Sequence, residues 1–222
     1  MLGSIDQDAP DELWCLGDLV GYGPRPNRCC AVVAERADVC LIGNHDLAAL
    51  GRLDFDIFSP EAAESARWTA DVLEPDTRAF LEPLLPQSER EAVGLFHASP
   101  RDPVWEYVLS PGIAYAGLAS TPQGLVLVGH SHIALDFRLS TTALATAAEG
   151  TELELADDRW LLNPGSVGQP RDGDPRAAWL LLDLEARRAT FRRVEYDVAA
   201  TQAEIRERGL PEALAARLEH GV

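Results

Sequence analysis

The sequence predicts an α/β protein in which two β-sheets pack face to face and helices cover their outer sides. Three observations lead there. Short apolar runs alternate with helical periodicity up to His132; beyond it, strand-like runs follow one another with little helix between them. A length of 222 residues, 46% hydrophobic and 25% charged, is ordinary globular composition. A chain of this size buries roughly 70% of its unfolded surface. A single domain over residues 1–222 is therefore expected, needing no disulfide or metal merely to fold.

The elements read in order as follows. Leu2 and Ile5 stand at helical spacing and Asp8-Ala9-Pro10 reads as a turn, so residues 1–11 look like the end of a helix. Leu13–Leu16 is a short buried strand. Asn27–Arg36 is helical, with Cys30, Val33 and Ala34 on one face, and Val39–Ile42 is the next strand. From Pro60 to Leu85 the pattern is helical through Ala63, Ala66, Trp68 and Val72, broken by Pro75 and Pro83. Val93–Phe96 and Leu125–Val128 are buried strands. Asp102-Pro103 before Val104, Trp105 and Val108 reads as a short helix with an Asp cap. Ala134–Leu139, Trp160–Leu162, Ala178–Leu182 and Thr190–Tyr196 are strands expected to be antiparallel. Residues 198–222 form a helical tail, amphipathic from Val198 to Leu218.

Composition narrows the partners. There are 36 acidic and 19 basic residues, a net charge of −17, which disfavours long nucleic acid. All the bases are arginine; without lysine the chain has neither a Schiff-base nor a P-loop lysine. Apolar runs such as Ala177–Leu182 are far shorter than the roughly 20 residues a membrane helix needs. No signal peptide opens the sequence, so a soluble cytoplasmic protein is expected. Cys15, Cys29, Cys30 and Cys40 form no C-x-x-C pair and read as small buried apolar residues in a reducing compartment.

The chemistry collects at strand ends. The Leu13–Leu16 run leads into Gly17-Asp18, and Val39–Ile42 into Gly43-Asn44-His45-Asp46. Val93–Phe96 leads into His97, and Leu125–Val128 into Gly129-His130-Ser131-His132. In open α/β sheets ligands lie beyond the carboxyl ends of the strands. Four of the five histidines sit at such ends. Imidazoles, a carboxylate and an amide make a mixed nitrogen and oxygen donor set, suited to Mn, Fe, Co, Ni or Zn without thiolate.

These residues, in this order, resemble the calcineurin-like metallophosphoesterase superfamily. Gly17-Asp18-Leu19-Val20-Gly21-Tyr22-Gly23-Pro24, His97-Ala98-Ser99-Pro100-Arg101-Asp102-Pro103 and Asn163-Pro164-Gly165-Ser166-Val167-Gly168-Gln169-Pro170-Arg171 are similar to its small bacterial phosphodiesterase branch. The resemblance spans residues 10–196 and implies a four-layer α/β/β/α sandwich. It further implies that Asp18 bridges two metals, that Asn44, His97 and His130 complete one of them, and that His132 belongs to the other. His45 would be the general acid or phosphate-stabilising imidazole, oriented by Asp46. The implied activity is metal-dependent hydrolysis of phosphoesters, as phosphodiesterase or phosphatase, with metal-activated water attacking phosphorus directly. Two cations about 3.5–4 Å apart neutralise phosphate and bring water toward pKa 7, and an imidazole can protonate the leaving oxygen.

The superfamily opens with a strand ending in D-x-H, whose Asp and His complete the second metal site. Residues 1–11 hold no such motif, and the first strand and most of the first helix are missing from the pattern. The expectation is one well-formed site for a divalent transition metal, with Mn, Fe, Zn and Ni all open as its identity. A second site is expected to be weak or vacant, supplemented by water or by Asp6 and Asp8, although those two acids read more simply as solvated. The competing reading is a catalytically weak or inactive phosphate-binding or scaffold protein. The substrate would be a small phosphoester or nucleotide, with a phosphoprotein or an oligomeric state also open.

Other residues carry two readings each. Arg101 either clamps a substrate phosphate or pairs with Asp102; Arg171 either contacts phosphate or forms a loop salt bridge. Tyr22 and Trp105 could stack on a nucleobase, although Trp105 has the spacing of a core residue.

Overall fold

A computed structural model describes residues 1–222. Helix α1 (Leu2–Asp8) precedes β1 (Trp14–Cys15), and α2 (Pro26–Arg36) leads back to β2 (Val39–Cys40). These two strands are parallel, with Trp14 opposite Val39 and Cys15 opposite Cys40. Then come α3 (Asn44–Ala49), a 3-10 turn at Phe55–Ile57, α4 (Pro60–Val72) and α5 (Pro75–Leu81). The remaining elements are β3 (Gln87–Arg90), β4 (Val93–Phe96), α6 (Pro111–Ala119), β5 (Leu125–Val128), β6 (Ala134–Arg138), β7 (Ala143–Thr146), β8 (Glu152–Glu154), β9 (Trp160–Pro164), β10 (Ala177–Asp183) and β11 (Arg188–Val194). Helices α7 (Val198–Glu207) and α8 (Glu212–Ala216) close the chain, followed by a 3-10 turn at Arg217–Glu219.

Local chemistry sets the helix starts. Proline opens α2, α4, α5 and α6, where its missing N–H costs nothing. Ser59, Ser110 and Asp197 accept the peptide N–H of Ala62, Ile113 and Ala200 respectively.

The main sheet has six strands in the order β3-β4-β5-β9-β6-β7. Its centre, β4-β5-β9, is parallel, while β3, β6 and β7 run antiparallel to their neighbours. Side-chain alternation assigns its faces. Phe96, Val126, Val128 and Leu161 point into a core shared with Ala114 and Leu118 of α6. Val93, Leu95, Leu127, Trp160 and Leu162 point the other way, against Leu41 and Ala189, with Trp14, Leu153, Leu180 and Leu182 packed alongside. The second layer is thus β1-β2 and the antiparallel set β10-β11-β8. Leu161 is wholly enclosed; burying such a side chain contributes about 1.5–3 kcal/mol. Ion pairs of Asp6 with Arg36 and of Asp8 with Arg192 tie α1 to α2 and β11. The two-sheet sandwich is the architecture expected.

Several expectations are corrected in detail. The strand at Trp160 is parallel to β5, not only antiparallel, because the chain crosses over to insert it between β5 and β6. Residues after Asp102 form a turn rather than a helix; Asp102 Oδ1 accepts from Val104 and Trp105, but the backbone then extends. The helix of that region lies later, at α6, where Ser110-Pro111 supplies the start. The tail is two helices because Gly209 adopts φ +69° and Pro211 follows. Of the cysteines only Cys30 is buried; Cys29 is exposed, and Cys15 and Cys40 lie between. All four are free thiols.

Candidate metal centre

Four strand ends build the site. After β1 the chain turns through Gly17 to Asp18, a non-glycine residue at φ +54°. His130 and His132, in the turn after β5, both stand at φ +60°. Left-handed backbone at three residues of one cleft costs free energy that surrounding bonds must offset, and such outliers gather at functional sites.

For Asp18 those bonds come from Asp46 in α3. The Asp46 carboxylate accepts the peptide N–H of Asp18 (2.9 Å), Val20 (3.0 Å) and Gly43 (2.9 Å). Asp18 Oδ1 in turn accepts the His45 N–H at 2.9 Å. The loops after β1 and β2 are thereby locked together. Gly43 is required at the contact, since a Cβ there would lie 2.0 Å from Asp18 Oδ1. The expected contact of Asp46 with the His45 ring is not made, because both carboxylate oxygens are taken by the backbone amides.

The other Asp18 oxygen, Oδ2, is buried without a hydrogen-bond partner, 3.5 Å from His97 Nε2. His97 Nδ1 pairs with the Leu16 carbonyl at 2.8 Å, which fixes the ring and leaves Nε2 facing Asn44 Oδ1 at 3.2 Å. His130 Nε2 is likewise buried and unpartnered. Ligand atoms of Asp18, His97 and His130 all lie within 4.8 Å of one another.

His132 is fixed by the loop after β9. Its Nδ1 pairs with the Gln169 carbonyl at 2.8 Å, and the His132 carbonyl accepts the Arg171 N–H at 3.0 Å. Buried Asn163 donates to the Gly129 carbonyl (2.7 Å) and to Ser131 Oγ (3.0 Å), bracing the turn that carries both histidines. His132 is not part of the three-residue cluster. Asp6 and Asp8 are engaged by Arg36 and Arg192 at α1 and supply no further ligand.

His45 is held by packing. A Cβ at Gly21 would lie 2.6 Å from its Nδ1, and the rings of Tyr22 and Phe58 stand 4.3 and 5.1 Å away. Its Nδ1 is enclosed without a partner, leaving Nε2 as the nitrogen available to a ligand. Burial drives the imidazoles toward neutrality. It lowers His45 and His130 to about 3, and lowers His97 and, further, His132 below the ordinary value. The same burial raises Asp18 and Asp46.

A divalent cation fits this arrangement. Asp18 Oδ2 and His130 Nε2 are buried polar atoms that nothing in the chain satisfies, and neutral imidazoles keep the lone pairs a cation needs. The donor atoms are oxygen and nitrogen, as intermediate transition metals require.

The rim holds side chains whose roles the residue pattern does not announce. Tyr107 stacks on His130 at 4.0 Å, and Trp105 packs edge-on to it at 6.5 Å and against Phe58 at 5.5 Å. Trp105 is thus a half-buried wall of the site rather than core. Arg171 lies over the Tyr22 ring at 5.5 Å, and its charge bears on Asp18, His45, His130 and His132. Arg101 stands apart; it pairs with Glu106 at 3.5 Å, not with Asp102. Asn163 and Gln169 fall within the Asn163–Arg171 motif, but nothing in their residue type marks them as braces.

A two-sheet sandwich presenting Asp, Asn and His from successive strand ends, with free lone pairs turned toward one another, defines a metallohydrolase-type site. Residues 1–187 match the calcineurin-like phosphoesterase superfamily domain, and the chain belongs to that superfamily. It is therefore a metal-dependent phosphoesterase in general class. It is 34% identical over 223 residues to Uncharacterized protein MJ0912 of Methanocaldococcus jannaschii, covering 98% of this chain and 90% of that protein. The crystal structure of a metallophosphoesterase from Sphaerobacter thermophilus superposes with a TM-score of 0.90 at 42% identity, covering 100% of this chain and 93% of the other. The hypothetical protein PH1004 from Pyrococcus horikoshii shares the fold, with a TM-score of 0.79 at 19% identity over 100% of this chain and 91% of its own.

Proposed function

We propose that the chain hydrolyses small phosphodiesters at the cleft formed by Asp18, Asn44, His97 and His130. The observation that carries this reading is the convergence of Asp18, His97 and His130 with two buried, unpartnered donor atoms among them. Those three residues and Asn44 would hold a divalent cation, with Mn, Fe, Zn or Ni suited to the donor set. A cation there supplies positive charge against phosphate oxygens and lowers the pKa of water.

The chain's own residues do the remainder. Arg171 offers a planar donor fork to a non-bridging phosphate oxygen. His45 presents Nε2 to the same group. Neutral by burial in the ligand-free protein, it serves as a hydrogen-bond donor to the phosphoryl group, and an arriving anion raises its pKa toward that of a proton donor for the leaving oxygen. Asp46 positions Asp18, whose own carboxylate holds the His45 peptide, rather than reacting. Tyr22, Phe58, Trp105 and Tyr107 exclude water around the imidazoles. Arg101, paired with Glu106, takes no part.

The test is hydrolysis of bis-p-nitrophenyl phosphate across Mn²⁺, Fe²⁺, Zn²⁺ and Ni²⁺, together with metal content. His97→Ala is expected to lose both metal and turnover; His45→Ala is expected to keep metal and lose turnover. Retained turnover in either variant refutes the assignment. A second reading, a phosphate-binding protein of little activity, draws on His132 lying outside the cluster. It predicts phosphate binding by calorimetry with one ion per chain and no hydrolysis.

A further inference from the structure

Arg171, which offers its fork to the phosphate, is itself held through a buried amide. Its Nε and Nη2 donate to Gln169 Oε1 at 3.3 and 2.8 Å. One edge of the planar guanidinium is thereby occupied, and Nη1 with the outer N–H of Nη2 forms the edge that remains. Gln169 is 4% exposed. Its carbonyl accepts from His132 Nδ1 and its N–H donates to Ser166 Oγ, so its backbone is fixed. Its side-chain oxygen has a further donor, Arg217 Nη1 at 3.3 Å, from the turn after α8. Arg217 is anchored in turn by Nε, which donates to the main-chain oxygen of Val222 at 2.6 Å.

Two other contacts of the same tail bear on Arg171. Tyr22, whose ring lies under the Arg171 guanidinium at 5.5 Å, packs against the tail's apolar cluster of Ile205, Leu210, Leu214, Ala215 and Leu218. The Gly221 carbonyl accepts the Gly173 N–H at 2.9 Å, two residues beyond Arg171. Gly221 stands at φ +65°, and a Cβ there would lie 2.8 Å from the Asp174 backbone, so glycine is needed for the approach. Asp18, Asn44 and His97 are held instead by Leu16, His45, Asp46 and one another. The tail thus meets the phosphate side of the cleft and not the cation side.

Resting on the phosphodiesterase reading, we propose that Arg217 is a positioning residue for substrate: through Gln169 Oε1 it fixes which edge of Arg171 faces the phosphate. An amide side chain can present either its oxygen or its NH₂ group. With guanidinium donors on both sides, only the oxygen satisfies them, so Arg217 selects the Gln169 orientation that accepts from Arg171. Without Arg217 the amide is free to turn, and Arg171 loses its fixed direction. The loss falls on phosphate binding, because Arg217 touches neither the metal ligands nor His45.

The test is a double-mutant cycle. Arg217→Met, which keeps an apolar stem, is expected to raise KM for bis-p-nitrophenyl phosphate about tenfold, with metal content as in the wild type. Gln169→Met, which removes the shared acceptor, should do the same. In an Arg171→Met background, adding Arg217→Met should change KM by no more than about twofold, because the group it positions is gone. A role in stability alone would lower the thermal midpoint in both backgrounds and leave KM unmoved. Arg206→Met, which breaks a surface pair with Glu212 in the same tail, is expected to keep the wild-type KM. Binding of inorganic phosphate to the Mn²⁺-loaded proteins is measured in parallel by calorimetry over the same cycle. Weaker phosphate binding in Arg217→Met that vanishes in the Arg171→Met background, with no hydrolysis by any of these proteins, upholds the positioning role and overturns the hydrolase reading. Hydrolysis with a wild-type KM in Arg217→Met, or with an effect that adds fully to that of Arg171→Met, overturns the positioning role and leaves the hydrolase reading intact.

Discussion

The Asp46 carboxylate accepts the Asp18 peptide N–H at 2.9 Å, so the acid beside His45 in sequence serves the acid that faces the cation site. With Val20 and Gly43 also donating to it, Asp46 is the knot between the loops after β1 and β2. Asp46→Asn replaces one accepting oxygen by an NH₂ group that opposes a backbone donor. A loss of about 1–3 kcal/mol is expected, with a lower thermal midpoint and reduced metal content. Metal stoichiometry equal to wild type would return Asp46 to a direct chemical role.

Gly21 makes a separable prediction. Its φ is +130°, and only 2.6 Å would separate a Cβ at this position from His45 Nδ1, so there is no room for a side chain. Gly21→Ala is expected to displace the His45 ring while leaving Asp18, His97 and His130 untouched. Turnover should fall roughly 100-fold, the scale of a lost general acid or base, at unchanged metal content. A variant that turns over normally would show that His45 needs no fixed position.

The layered sandwich is legible because strand ends and apolar alternation are local signals. Leu125-Val126-Leu127-Val128 states both that it is a strand and that both faces are covered. Placement of β9 between β5 and β6 is not legible, since nothing local in Trp160–Leu162 encodes a crossover. At the site, ligand-type residues can be read because their chemistry is in the side chain. The roles of Asp46, Gln169 and Asn163 cannot, because each works through bonds to backbone groups distant in sequence. Trp105 escapes the pattern for a related reason: its spacing with Val108 suits a helix, yet Asp102 caps only a turn, and the ring swings to His130.

Metal removal should expose the titration of the buried groups. In the metal-free protein, His45, His97, His130 and His132 have folded pKa values below their unfolded one, so the stability they allow is present above about pH 6.5 and is lost as pH falls. Asp18 and Asp46 are raised and act oppositely, gaining protons in the folded state first. Four lowered imidazoles outweigh two raised carboxylates, so unfolding takes up protons as the pH falls below the ordinary imidazole range. The midpoint of chelator-treated protein should therefore fall between pH 6.5 and 5. Added Mn²⁺ should raise it most at pH 7–8, where protons compete least for the same atoms. A midpoint that climbs on acidification would contradict the burial of neutral imidazoles.

The pair formed by Arg193 on β11 and Asp172 on the loop after β9 is the sandwich's internal brace for that loop. Their side chains are 4% and 5% exposed. Asp172 Oδ2 also accepts the Ala134 N–H at 3.0 Å, two residues beyond His132. Arg193 Nη1 reaches the Asp174 carbonyl at 3.1 Å. Removing one partner leaves a buried charge alone, so Arg193→Met should destabilise by about 3–5 kcal/mol. Removing both, as Arg193→Met with Asp172→Asn, abandons no charge and should recover part of that loss in denaturant unfolding. Because the same loop carries Gln169 and Arg171, the double variant should bind metal normally at Asp18, His97 and His130 yet show a raised KM for phosphodiester. If KM stayed at the wild-type value while stability recovered, the brace would serve folding alone and the loop would hold Arg171 by other means.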